Sequence, residues 1–242
     1  MRFLFVEEGQ IGSQSIELTS EQIHRLRKVL RLRVGDKLIA CEGRSGQAYE
    51  VSINELGKKG QLAILSALDK TSEPGYKLHL GLALLKKKKV EFVLQKTTEL
   101  GVTSFTPLLT QNCVSQELSA NEERRMEQTA QEACMQSGRL RLPLLNKVAQ
   151  LRPFVQEEMR LQRKVFIFHQ CPEGEAIKRS DLDLRQANEV TLLVGPEGGF
   201  TEEEVKSCAE AGVYVRWLPG HILRAETAAI AVTTLFSLSP SL

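Results

Sequence analysis

The chain has 242 residues, 42% hydrophobic and 26% charged, with a formal net charge of +2. That length can bury a sizeable core as one large domain or two small ones, and the balance is that of a globular protein rather than a disordered or fibrous one. Met1-Arg-Phe-Leu-Phe-Val6 is too short for a signal peptide and runs straight into Glu7-Glu8, and the apolar runs stop well short of a membrane span.

Apolar or alternating runs at 2–6, 36–41, 47–53 and 61–68 predict strands, separated by the Gly43-Arg-Ser-Gly46 and Gly57-Lys-Lys-Gly60 turns. Between the first two, Thr19 and Gln22 form a capping box. Ile23, Leu26, Val29 and Leu30 then give the apolar stripe of a short helix that leaves His24, Arg25, Arg27 and Lys28 outward. A small barrel with one helix is expected, followed by a linker at Thr71-Ser-Glu-Pro-Gly75. From residue 77 strands alternate with helices, the pattern of a parallel α/β sheet. Strands are expected at 78–85, 104–109, 164–169, 190–194 and 214–218. Helices are expected near 90–100, 120–137, 149–161, 202–211 and 225–237. Thr201 caps the fourth of these helices, Glu204 completes its box and Gly212 ends it, while Gly138 has the place of a C-cap on the helix over 120–137.

Two glycine-containing loops each follow a strand and lead into a helix: Gly195-Pro-Glu-Gly-Gly-Phe200 and Leu218-Pro-Gly-His-Ile-Leu-Arg-Ala-Glu-Thr-Ala228. Their strands are expected to be neighbours, and the carboxyl ends of strands in an open α/β sheet are where such folds bind ligands. Gly195–Phe200 lacks both the Lys-Ser/Thr ending of a P-loop and the G-x-G-x-x-G spacing that a dehydrogenase would need. A ligand approached closely by backbone but not through phosphate fits better, and S-adenosylmethionine is such a ligand. Gly195, Gly198 and Gly220 permit the approach because they lack a Cβ, and Leu193, Leu218, Ile222 and Leu223 can supply walls.

Basic residues are clustered despite the near-neutral total. Arg25, Arg27, Lys28, Arg31 and Arg33 crowd together, Lys86 to Lys89 form a run, and Arg139 and Arg141 follow Gly138. Such patches bind phosphates or are simply solvated faces. Lys96 and Glu99 sit at the spacing of an intrahelical ion pair. The five cysteines (Cys41, Cys113, Cys134, Cys171, Cys208) are odd in number and scattered, and the four histidines show no metal spacing. No metal site is expected, and the compartment is read as the reducing cytoplasm. His169 ends a strand at the rim of the expected pocket, and His221 lies inside the second loop.

The pair G-P-E-G-G and I-L-R-x-E-T-A resembles the signature of the RsmE-type ribosomal RNA uridine-N3 methyltransferases, in the SPOUT (trefoil-knotted) superfamily. Val29-Leu-Arg-Leu-Arg-Val-Gly-Asp36, Gln95-Lys-Thr-Thr-Glu-Leu-Gly-Val102 and Glu132-Ala-Cys-Met-Gln-Ser-Gly-Arg139 fall in the family's order and spacing, so the similarity spans nearly the whole chain. The resemblance implies an α/β fold with a PUA-like β-barrel RNA-binding domain over 1–72 and a SPOUT methyltransferase domain over 75–242. The deep trefoil knot would take about 190–242. It further implies S-adenosyl-L-methionine as cofactor, a homodimer formed through the knotted domains, no membrane, and methylation of N3 of a specific uridine in 16S rRNA on the assembled small ribosomal subunit.

Carried onto this sequence, the resemblance puts the cofactor against Leu193, Gly195, Glu197, Gly198, Leu218, Gly220, Ile222, Leu223 and Thr227, and RNA against Arg25, Lys28, Arg31 and Arg139. Methyl transfer from a sulfonium is an in-line displacement in which the enzyme contributes positioning and control of charge. Uracil N3 lies on the Watson–Crick edge, so the base must be unpaired or extruded and its N3 proton must leave. Arg224 is expected to stabilise negative charge on the uracil oxygens. Glu226 either orients Arg224, takes part in proton removal, or simply interacts with the helix N-terminus. Glu197 is a weaker candidate base, and Thr227 is either an ordinary first-turn residue or a hydrogen-bond partner in the pocket. Two departures stand out: Leu218-Pro-Gly-His-Ile-Leu-Arg224 replaces the usual L-G-P-R-I-L-R, and Thr110-Gln-Asn-Cys113 stands where the family usually carries an arginine. The competing readings are a ribose 2′-hydroxyl methyltransferase, whose serine-leucine-asparagine motif is missing here, and a non-enzymatic RNA-binding or ribosome-assembly factor.

Overall fold

In a computed structural model of the protein, residues 2–68, 76–86, 88–115, 117–171, 175–183 and 188–238 are described. The chain divides into two compact units, residues 1–73 with Cys134–Leu142 and residues 74–133 with Pro143–Leu242. The expected linker Thr71–Gly75 lies outside the described residues.

The first unit is a five-stranded sheet of β1 (Phe3–Val6), β2 (Ser15–Leu18), β3 (Lys37–Glu42), β4 (Ala48–Leu56) and β5 (Gly60–Leu68), in the order β1-β3-β4-β5-β2. Only β1–β3 is parallel. Register shifts in the long β4–β5 pair curl the sheet, since a bulge bends a strand and raises its local twist. The edge strand β2 was not among the expected elements: only four residues long, with Ile16 alone buried, it offers too little alternation to read. Side-chain amides span the two edges. Gln22 Nε2 donates to the carbonyl of Phe5 on β1 (2.9 Å), Gln10 Nε2 donates to that of Glu17 on β2 (2.6 Å), and the two amides bond to each other.

Period-2 alternation divides the sheet's side chains between two cores. Leu4, Val6, Ile16, Leu38, Val51, Ile53 and Leu62 pack on one face with Leu26, and Phe3, Ile39, Cys41 and Ala48 pack on the other with Leu140. Leu140 belongs to the Cys134–Leu142 segment, which bonds along the β3–β4 turn through Leu142 N to Gly43 O (2.8 Å) and Arg141 Nη2 to Ser45 O (2.6 Å).

The capping box of Thr19 and Gln22 opens α1 (Ser20–His24), with both reciprocal bonds made. The helix then widens into a π-helical turn over Arg25–Val29, closed by Leu30 N to Arg25 O (2.9 Å). This corrects the expected stripe. Ile23 and Leu26 are buried, but the extra residue per turn rotates Val29 outward, where it is 65% exposed.

The second unit is a wholly parallel seven-stranded sheet: β6 (Lys77–Ala83), β7 (Ser104–Leu109), β8 (Leu144–Leu145), β9 (Ala149–Gln150), β10 (Lys164–Phe168), β11 (Glu189–Val194) and β12 (Tyr214–Arg216). The order is β12-β10-β11-β6-β7-β8, with β9 also on β7. Helices are α2 (Lys89–Glu99), α3 (Ala120–Ser137), α4 (Leu151–Arg160), α5 (Glu202–Glu210) and α6 (Ala225–Leu238). A parallel sheet needs cover on both faces. Leu192 and Val194 of β11 pack with Leu80, Phe166 and Phe168 against α2 and α6, whereas Leu193 turns with Ile167 and Leu108 toward α4 and α5. Phe236 of α6 is fully buried, its ring 5.0 Å from that of Phe166, and its carbonyl accepts from Tyr76 Oη at 2.8 Å.

The amino ends of the strands carry a buried polar network. His79 lies between Ser104 Oγ (2.7 Å) and Glu189 Oε2 (3.1 Å), and Glu189 also meets Lys77 and Arg163. Arg163 in turn pairs with Glu158, which accepts from Thr191. Lys96 and Glu99 form their intrahelical pair at 2.9 Å.

Candidate active site

The carboxyl ends of β10, β11 and β12 border a cleft of about 550 Å³. His169 and Gln170 contribute from β10, Gly195–Gly199 from β11, and Trp217 and Leu218 from β12, before His221–Arg224 and the first turns of α6 close it. The two signature loops do not follow neighbouring strands as expected. β10 lies between β11 and β12, which is why His169 enters the cleft between them.

Each loop uses its glycines differently. A Cβ on Gly195 would come to 3.1 Å from both the Phe200 ring and the Phe200 amide, so any larger residue there would press the loop against Phe200. Asn112 braces the same loop, its Nδ2 donating to the carbonyls of Gly198 (3.2 Å) and Gly199 (3.1 Å). Asn112 of the Thr110–Cys113 segment thus supports this loop. Gly220 has φ +114°, and a Cβ there would meet nothing within 4 Å, so its need for glycine is purely conformational.

Of the residues expected around the cofactor, Gly195, Glu197, Gly198, Leu218, Ile222 and Leu223 line the cleft. Leu193 does not. It is fully buried on the opposite face of β11, because successive strand side chains alternate and Val194 takes the cleft side. Gly220 and Thr227 also stand outside the wall, Gly220 at the loop's bend and Thr227 on an exposed part of the first turn of α6. Ile222 is 78% exposed and Leu223 is half-exposed, an apolar edge open to a ligand.

Arg224 caps α6 with its carbonyl, which accepts from Ala228 N at 2.8 Å, and its exposed side chain lines the cleft. Glu226 does not pair with it in the structure. Its Oε2 lies 3.2 Å from Lys89 Nζ, and the same ammonium meets Glu197 Oε1 at 3.1 Å. Glu197 Oε1 accepts from Lys86 N as well, at 3.3 Å. The Glu226 carboxyl is held below its ordinary range by its own backbone amide and by Lys89. Burial pushes Glu197 up, but its own amide, Lys89 and the Lys86 amide outweigh this and leave it lowered. Carboxyls so stabilised as anions are poor proton acceptors near neutral pH, which weighs against either as the general base.

Lys89 was legible only as one member of the Lys86–Lys89 run. The helix was expected to begin near residue 90, just after Lys89, and the lysine's two partners come from segments far along the chain.

The expected RNA residues all lie in the first unit. Lys28 and Arg31 are exposed, and Arg31 sits in the left-handed region at φ +53° just past the π-helical turn. Arg25 is half-buried, with Nη2 3.3 Å from Met135 Sδ. Arg139 is buried, at 6% exposure, so of the four expected RNA residues it presents the least surface to a phosphate.

The family described as an RNA methyltransferase domain matches residues 71–237, well over half of the chain. Ribosomal RNA small subunit methyltransferase E of Rickettsia conorii is 31% identical over 94% of this chain and 91% of its own. Among solved structures, that of ribosomal RNA small subunit methyltransferase E from Neisseria gonorrhoeae bound to S-adenosyl methionine superposes with a TM-score of 0.85, at 27% identity over 98% of this chain and 97% of the other. A Legionella pneumophila protein in complex with the cofactor SAM gives the same TM-score at 29% identity, covering 98% and 97% of the two chains. The chain belongs to the ribosomal RNA small subunit methyltransferase E family.

Proposed function

We propose that the protein transfers a methyl group from S-adenosylmethionine to N3 of a specific uridine in 16S rRNA, in the cytoplasm and on the assembled small subunit. The observation that carries this reading is the cleft built by the two signature loops, G-P-E-G-G and I-L-R-A-E-T-A, in a chain of this family. Its volume is that of a small-molecule site. Its make-up suits an adenosyl sulfonium: glycine backbone at Gly195 and Gly198, apolar edges at Leu218, Ile222 and Leu223, and the small Ala225 and Ala228 where α6 borders it. When bound, the cofactor supplies an electrophilic methyl carbon. Arg224 would stabilise negative charge on the uracil oxygens as N3 gives up its proton to solvent and takes the methyl, the carbon–sulfur bond electrons staying on the departing thioether.

The finer architecture belongs to the same proposal: a PUA-like barrel in the first unit, a trefoil knot over about 190–242, and a homodimer through the second unit. The knot reading is supported by a chain that runs from central β11 out to edge strand β12 and then returns α6 onto α2, β6 and β11. The dimer reading is supported by apolar side chains left exposed on α2 and α6, Phe92 at 47% and Leu238 at 52%. The first unit offers Lys28 and Arg31 to RNA phosphates.

Incubation with unmodified small subunits and labelled cofactor, followed by mapping of the modified nucleotide, tests the reading. Label at uracil N3 of one position is expected; label on a ribose, or none, overturns it. Arg224→Ala should lower single-turnover methylation by about 10²–10³ with RNA and cofactor saturating, the cost of losing one charge-stabilising donor. Normal turnover would remove Arg224 from the chemistry.

A further inference from the structure

We propose that Lys89 is a positioning residue of the methyl-donor site: its ammonium ties the two signature loops together by holding Glu197 on one and Glu226 on the other. The inference rests on the proposed function, which puts the cofactor in this cleft.

Three elements meet at one atom. Lys89 opens α2, Glu197 lies in the loop after β11, and Glu226 lies in the first turn of α6. Lys89 Nζ is 3.1 Å from Glu197 Oε1 and 3.2 Å from Glu226 Oε2. Lys89 also borders the cleft beside Gly195–Gly199 and Arg224. The two carboxylates are partly buried, Glu226 at 16% exposure and Glu197 at 28%, and the Lys89 side chain that meets them is 35% exposed. The ammonium donates a hydrogen bond to Glu197 Oε1, and it meets the buried Glu226 Oε2, which has no hydrogen-bond partner, through charge alone. Without Lys89, the two carboxylates that meet its ammonium would repel one another and spread the loops that carry them.

Lys89 cannot itself serve as the base. Its two carboxylate partners hold the ammonium protonated, Glu197 foremost. Its effect therefore passes through Glu197 and Glu226 to the geometry of the cleft. The charges of Lys89 and Arg224 balance those of Glu197 and Glu226, so the loop ends can approach a cationic ligand without a net excess of either sign.

The test is cofactor binding by calorimetry, with the full-length protein and S-adenosylmethionine as the probe. Lys89→Met, with Lys89→Gln as a second variant, should weaken binding about fivefold, the scale of a partly exposed charge pair converted to affinity. Adding Glu226→Gln, which lies outside the cleft lining, to Lys89→Met should cost no more than Lys89→Met alone, because that partner has already lost its link. In methylation assays the cofactor KM should rise by the same factor, with kcat at saturating cofactor falling less than about twofold. A merely structural role would instead lower the melting temperature and leave this split unmoved. Wild-type affinity in both Lys89 variants, or a loss in Lys89→Met with Glu226→Gln equal to the sum of the two single losses, would overturn the proposal. If the wild-type protein itself binds no S-adenosylmethionine, it is the proposed function that fails.

Discussion

Asp181→Asn is expected to loosen the edge strand that carries one wall of the cleft. Asp181 lies in a short 3₁₀ turn, Arg179–Leu182, and receives Arg216 of β12 through two bonds, Nε to Oδ2 at 2.7 Å and Nη2 to Oδ1 at 3.1 Å. Both side chains are buried, at 7% and 10% exposure. Removing one partner of a buried pair leaves the other charge desolvated, at a cost of about 3–5 kcal/mol. Arg216 would keep Glu175 at 2.8 Å and the Val215 carbonyl at 2.9 Å, so the lower end, about 3 kcal/mol, applies. For a chain of this size that corresponds to a fall of about 6–12 °C in melting temperature at pH 7. Burial pushes the Asp181 carboxyl up, but the bonds from Arg216 and the Lys178 amide outweigh it and hold it low. A depressed folded pKa adds stability that is present above about pH 4 and lost as pH falls through the folded value. The gap between wild type and variant should therefore narrow below about pH 4. Circular-dichroism melts from pH 7 to 3 measure both effects. A loss under about 2 °C at pH 7, with a gap that does not change with pH, would refute the reasoning.

Gly195→Ala should weaken cofactor binding more than Gly220→Ala, since the first forces Phe200 and its amide aside while the second adds only backbone strain of about 1–2 kcal/mol; calorimetry on both ranks them. Arg31→Ala should lower affinity for the small subunit and flatten the log–log salt slope by about one unit. Alanine keeps the Cβ at φ +53°, so backbone strain is unchanged and the slope reports the lost charge. Acid should destabilise the second unit in two stages. His79 is lowered by burial and by Arg163, so stability falls as pH drops below 6.5, where the unfolded chain takes up the proton first. For Glu189, burial raises the carboxyl but Lys77 and Arg163 bring it down to about 2, so a second loss runs from 4.5 toward 2. Glu189→Gln should shrink that second stage in pH-dependent melts, leaving the part that Asp181 contributes.

Local patterns were the legible ones. The strands and helices of the second unit follow from alternation, apolar periodicity and capping residues, such as Thr201 with Glu204 on α5. The two loops around the cleft were legible because glycine, proline and charge are concentrated there between a strand and a helix. Short elements were not: β2, β8 and β9 have too few residues to show a period, and their pairing depends on a neighbour.

By itself, the amino-acid sequence determined the longer strands and helices and singled out the two loops that border the cleft, because those choices rest on contacts within a few residues. Tertiary structure alone decided the rest. It put β10 between β11 and β12, turned Leu193 away from the cleft and Val194 into it, and packed Cys134–Leu142 with the first unit. It buried Arg139 and rotated Val29 outward over a π-helical turn. It also brought Lys89 to Glu197 and Glu226. The order of parallel strands and the pairing of distant charges are set by how faces are covered and charges neutralised across the whole sheet, and no local pattern of residue types encodes that.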